Sequence, residues 1–64
     1  MQVLTNQYES QLVPIVIDAI TNKGFLEREE GAISRAARDF AADHSNLTRD
    51  EAIMIFRRYQ ERMR

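Results

Sequence analysis

The chain has 64 residues, 44% of them hydrophobic, with ten acidic and nine basic residues and a net charge of −1. A chain of this length forms a single domain, residues 1–64, and such a domain usually needs a disulfide, a structural metal or oligomerisation to be stable. The sequence has no cysteine and one histidine, which excludes disulfides, thiolate zinc sites and a multi-histidine metal site within one chain. The near-neutral charge argues against a general binder of nucleic acid or membrane surfaces.

The first predicted helix covers about residues 7–22. Asn6 and Glu9 have the spacing of a capping box at its start, and Gly24 favours a left-handed stop after its end. Apolar residues at helical spacing form one broad arc on this helix: Ile15, Tyr8, Ala19, Leu12, Val16, Ile20, Val13 and Ile17. The arc covers about 200° of the helix, against about 100° for an ordinary surface helix. Leu12, Ile15 and Val16 are predicted to lie in the core. Val13 and Ile17 are surplus apolar residues, which the core of a single chain does not account for.

Pro14 bears on the shape of this helix, and the surplus apolar residues bear on its association. Pro14 removes a backbone hydrogen bond and predicts a kink, or else two short helices with Pro14 at the start of the second. The wide arc predicts a homodimer, with Val13, Val16 and Ile17 as the self-contact. Alternatively, the helix packs against both other helices of a bundle and uses the wide face within its own chain.

The second predicted helix covers about residues 26–43, with an acidic first turn that suits the helix dipole. Its predicted buried face is narrow and rich in alanine, and comprises Leu26, Ile33, Ala36, Ala37, Phe40 and Ala41. Such a face lets a neighbouring helix approach closely. Gly31 lies off this face and marks either a close crossing or a bend. His44 follows the helix and is expected to cap its last carbonyls.

The third predicted helix covers about residues 49–63 and starts at a capping box formed by Thr48 and Glu51. Its predicted apolar side comprises Ile55, Tyr59, Ala52, Met63, Phe56 and Ile53. Met54 falls on the opposite side, beside arginines. Together the three segments predict an all-α fold, a small three-helix bundle, because short links favour antiparallel neighbouring helices and no period-two strand pattern occurs.

The sequence favours a non-enzymatic protein-interaction or regulatory module. We expect an outside protein to bind the exposed set on the third helix: Met54, Arg57, Arg58 and Glu61. A methionine among charged residues is an adaptable apolar anchor. No serine–histidine–acid order or glycine-rich phosphate loop occurs, so no catalytic residue and no cofactor is expected. Asp39, Asp43 and His44 are disfavoured as a metal cluster, because neighbouring residues point in different directions on a helix.

A nucleic-acid-binding regulator is the alternative function. Residues 47–64 hold five basic and three acidic residues, and the arginines for this role are Arg57, Arg58, Arg62 and Arg64. Against it, Asp50 and Glu51 stand at the helix start that a helix-turn-helix would place in the major groove.

The chain has no signal peptide pattern and its longest apolar run is six residues, too short to span a bilayer, so we expect a cytoplasmic protein.

Overall fold

The chain folds into a bundle of α-helices. A computed structural model describes the backbone of residues 3–64 and the side chains of residues 7–64. The helices are α1 (Val3–Thr21), α2 (Glu29–Ala42) and α3 (Arg49–Arg62), and each packs against both of the others. Residues 3–64 contain no strand. The predicted all-α, three-helix bundle is confirmed.

A single apolar core lies between the three helices. It comprises Leu12, Val13, Val16, Ile33, Ala36, Ala37, Phe40, Leu47, Ala52, Ile55 and Phe56. Among residues 7–64 no polar or charged side chain is buried, so the core has no desolvated charge to compensate. Ala36 and Ala37, which the sequence places on the narrow buried face of α2, are buried in this core. Burial of each large side chain contributes about 1.5–3 kcal/mol.

Helix α1 is longer than predicted and continues through Pro14. It begins at Val3, so Asn6 lies within the helix and the predicted capping box with Glu9 is wrong. It also runs unbroken through Pro14, so the alternative of two short helices is wrong, while the kink stays a prediction. Pro14 lies on the solvent side, where water can hydrate the Ser10 carbonyl that loses its backbone partner.

The buried face of α1 is centred differently from the predicted one. Leu12, Val13 and Val16 are buried, whereas Ile15 is 46% exposed and Ile17 is also exposed. The prediction that Ile15 belongs to the core is therefore wrong, and Val13 is core, not surplus. The physical reason is that α2 and α3 together cover an arc centred near Val16, which leaves Ile15 and Ile17 at opposite edges.

Helix α2 begins three residues later than predicted. Arg28 has extended backbone angles (φ −79°, ψ 153°), which interrupt any helix before Glu29. Leu26 therefore lies in the preceding turn and is exposed, so its predicted place in the core is wrong. Gly24 and Gly31 do not have positive φ, so the left-handed stop is also wrong. A methyl group on Gly31 would meet only Glu27 Cγ, at 3.8 Å, so no close helix crossing requires this glycine.

Helix α3 starts as predicted. The Glu51 N–H donates to Thr48 Oγ1 (3.1 Å), and the Thr48 N–H donates to Glu51 Oε1 (2.9 Å), which completes the capping box. Met63, which the spacing places on the apolar side of this helix, follows the last helical residue and is exposed. His44 caps α2 through Nδ1, 2.8 Å from the Phe40 carbonyl oxygen.

Candidate interaction site

The most exposed large apolar side chains of residues 7–64 lie between α1 and α2. Phe25 is 98% exposed and Leu26 is 92% exposed. They are the two central residues of a turn closed by the Glu27 N–H, which donates to the Gly24 carbonyl (3.1 Å). We call residues 24–27 the apolar turn. Single exposed apolar residues are common on protein surfaces, whereas Phe25 and Leu26 are adjacent in the sequence and both almost fully exposed.

Hydrogen bonds at its base fix the apolar turn. Lys23 Nζ donates to the Glu27 carbonyl (2.9 Å). Arg35 on α2 donates to both carboxylate oxygens of Glu27, from Nε at 3.1 Å and from Nη2 at 3.0 Å. A bidentate arginine–carboxylate pair restrains direction as well as distance. The turn therefore holds Phe25 and Leu26 in solvent in a defined conformation.

The Glu27–Arg35 pair also affects proton binding. Hydrogen bonds from Arg35, helped by its charge, hold the pKa of Glu27 below its ordinary value. The same hydrogen bonds and the charge of Glu27 raise the pKa of Arg35. Both groups are thus ionised at neutral pH, and the anchor of the apolar turn is present there.

A shallow groove runs beside the apolar turn, between α1 and α2. It has a volume of about 280 Å³ and is lined by Ile15, Asp18, Ala19, Asn22, Arg35, Ala36 and Asp39. We call it the α1–α2 groove. Its floor is apolar, and Asp18 and Asp39 are its exposed carboxylates. Arg35 joins the groove to the apolar turn, because its guanidinium binds Glu27.

The predicted self-contact residues do not form one exposed surface. Val13 and Val16 pack in the core of their own chain, and of the three only Ile17 is exposed. Two of the three side chains are therefore used within the core of their own chain, which does not favour this set as a contact with a second copy, and self-association through it stays a prediction. The exposed apolar residue beside a groove is Ile15, at the opposite edge of α1.

The residues predicted to bind an outside protein do share an exposed surface. Met54, Arg57, Arg58 and Glu61 are all exposed on α3, and Met54 is 52% exposed. We call these four residues the α3 ridge. Arg57 Nη2 lies 3.5 Å from Glu30 Oε2 on α2, so one member of the ridge is partly engaged within the chain.

The arginines predicted for nucleic-acid binding are divided by ion pairs. Arg57 pairs with Glu30, and Arg62 pairs with Glu9 on α1. Among the described side chains, Arg58 and Arg64 form no ion pair. Intrachain carboxylates thus offset half of the positive charge that this surface would present to phosphates.

The side chains of residues 7–64 hold no group of three histidine, cysteine or acidic residues that could bind a metal. His44 stacks on Phe40, with ring centroids 4.1 Å apart, and meets the edge of Tyr8, so it packs as part of an aromatic cluster. A second cavity, of about 470 Å³, lies at the end of α3 and is lined by Arg57, Tyr59, Gln60, Glu61, Met63 and Arg64. No other element closes this cavity.

None of the helices that the described residues form is long and apolar enough to cross a membrane.

Comparison with known proteins gives no relative: no family model, no curated protein and no solved structure matches this chain.

Sequence reasoning missed the apolar turn because it assigned Leu26 to α2. A signal was present in the sequence. Phe25 and Leu26 follow the helix stop at Lys23-Gly24 directly, and the acidic residues that favour a helix N-terminus come only after them.

Proposed function

We propose that this chain is a non-enzymatic protein-interaction module and that the apolar turn is its principal contact point. The observation that carries the proposal is the exposure of Phe25 and Leu26 on a turn whose base is fixed by Lys23 and Arg35. Full burial of each of these two side chains by a partner would contribute about 1.5–3 kcal/mol. Because the turn is already ordered, binding loses less conformational entropy than it would with a flexible loop.

The α3 ridge is a second contact surface within the same proposal. It offers one apolar side chain, Met54, with charged neighbours, whereas the apolar turn offers two apolar side chains that are both more exposed than Met54. The nucleic-acid alternative has weaker support, since Glu30 and Glu9 engage two of its four arginines.

Site-specific photo-crosslinking in the native cells tests the proposal. A benzophenone amino acid replaces Phe25 in one variant, Met54 in a second, and Gln11, an exposed polar residue of α1, in a matched control. We expect a discrete adduct from position 25 that is weakened by Leu26→Ser in the same chain. Equal labelling from positions 25 and 11 would contradict the proposal, and an adduct from position 54 alone would move the contact to the α3 ridge.

A further inference from the structure

We propose that the partner of the apolar turn is a second copy of this chain, whose α1–α2 groove receives Phe25 and Leu26. This inference rests on the proposed function and specifies its partner. It differs from the self-contact predicted from the sequence, because it uses the edge of α1 that carries Ile15 instead of the edge that carries Ile17.

The size and shape of the groove favour apolar side chains of a protein over a small molecule as its occupant. Its volume of about 280 Å³ is just below the range of about 300–1,000 Å³ typical of small-molecule sites. The groove offers a shallow apolar floor, with Ile15 half-exposed and Ala19 and Ala36 beside it. A small floor of this kind suits a protruding apolar side chain such as that of Phe25.

Charge complementarity favours the same occupant. The groove carries two exposed carboxylates, Asp18 and Asp39. The apolar turn is flanked by Lys23 on one side and Arg28 on the other. Within the turn itself, the carboxylate of Glu27 is neutralised by Arg35 of its own chain. A turn entering the groove of another copy would thus bring basic residues toward acidic ones.

The position of the two features allows a closed dimer. Arg35 lines the groove and binds the apolar turn, so both features belong to one side of the molecule. A two-fold axis brings the same patch of two copies together, and each turn can then enter the other groove. Two phenylalanines supply about 300–500 Å² of buried surface, and the leucines and grooves bring the total toward about 1,000 Å². This is the lower end for specific interfaces, so the dimer is weak.

Sedimentation of the purified chain tests the inference. We expect a monomer–dimer equilibrium between about 10 µM and about 1 mM, the range of a weak interface. Phe25→Ser and Ile15→Glu should each raise the dissociation constant about tenfold or more, because each change removes a buried apolar contact from both halves of the dimer. Ile17→Glu is the matched control, since it has the same change, the same helix and similar exposure, and it should leave the constant within about threefold. Circular dichroism shows that each variant is folded.

A charge reversal gives a second measurement. Arg28→Asp and Asp39→Arg should each weaken the dimer, and the chain that carries both changes should recover part of the affinity. A wild-type chain that stays monomeric to about 1 mM would overturn the inference, and so would a dimer lost in Ile17→Glu but kept in Ile15→Glu. A monomer that still gives a position-25 adduct with another protein would reject the second copy as partner and leave the proposed function intact.

Discussion

Replacement of one buried and one exposed phenylalanine by leucine is the sharpest test of the fold. Phe40 is 5% exposed, and its ring stacks on His44 and meets the edge of Tyr8, with centroids 4.1 Å and 6.2 Å away. Phe25 makes no such contact, because it is 98% exposed. The same substitution therefore removes a core side chain in one variant and a solvated side chain in the other.

The expected magnitudes differ clearly. Phe40→Leu changes the shape of the core, at a cost up to about 1.5 kcal/mol, and loses aromatic pairing worth about 0.5–1.5 kcal/mol. We expect it to reduce the free energy of unfolding by about 1–3 kcal/mol. Phe25→Leu should change it by less than about 0.5 kcal/mol. A domain of this size has about 3–10 kcal/mol of stability in total, so leucine is a safer probe than alanine.

Urea unfolding followed by far-ultraviolet circular dichroism measures both changes. A low protein concentration keeps the chain monomeric during the measurement. If the slope of the unfolding free energy against urea concentration is the same in wild type and variants, the two-state analysis holds. Thermal unfolding should agree with urea unfolding, because each kcal/mol of lost stability lowers the thermal midpoint by about 4–8 °C in a domain of this size. If Phe25→Leu destabilises the chain as much as Phe40→Leu, then Phe25 packs in the core and the position of the apolar turn is wrong.

Three further predictions follow from local geometry. Gly31→Ala should raise the free energy of unfolding by about 0.5–1 kcal/mol, because alanine favours a helix and its methyl group would make only an ordinary van der Waals contact with Glu27 Cγ, at 3.8 Å. Thr48→Ala should lower it by about 0.5–2 kcal/mol through loss of the α3 cap, as urea unfolding would show. Glu27→Gln should make stability less dependent on pH. The carboxylate pKa lies below its ordinary 4.5 in the folded chain, so its contribution is present above that pH and is lost as the pH falls through the lowered pKa. The stability difference between wild type and Glu27→Gln should thus disappear in acid.

Each of these predictions has a clear opposite result. Destabilisation by Gly31→Ala would mean that a neighbouring group occupies the space beside that glycine. No effect of Thr48→Ala would mean that α3 frays past its cap. A stability difference for Glu27→Gln that persists unchanged in acid would show that the Arg35 pair does not depend on carboxylate charge.

The α3 helix and the core face of α2 were the most predictable parts of the fold. The Thr48–Glu51 capping box and the spacing of Ile33, Ala36, Ala37 and Phe40 depend on residues within one or two turns of each other. Such patterns act through neighbouring residues, but spacing alone is not sufficient, because the same spacing at Asn6 and Glu9 does not form the start of α1. Met54 was likewise predicted on the exposed side of α3, and the structure confirms that exposure.

The exposed edges of α1 were not predictable in the same way. The sequence shows a broad apolar arc, but its residues do not specify which part α2 and α3 will cover. The part that α2 and α3 cover places Val13 in the core and Ile15 at the surface. The candidate self-contact therefore moves to the edge of α1 that carries Ile15. The start of α2 was also missed, because Glu27 binds Arg35, eight residues along the chain, a pairing that helical periodicity does not reveal.

The sequence by itself determined a three-helix bundle without disulfides, with α3 capped at Thr48 and alanines on the inner face of α2. Periodicity and end-capping decide these features, because they act through short-range backbone and side-chain geometry. Only the tertiary structure decided that Phe25 and Leu26 stand in solvent beside a groove that carries Asp18 and Asp39. The physical reason is that exposure depends on which helices meet, and that is a property of the whole packed chain.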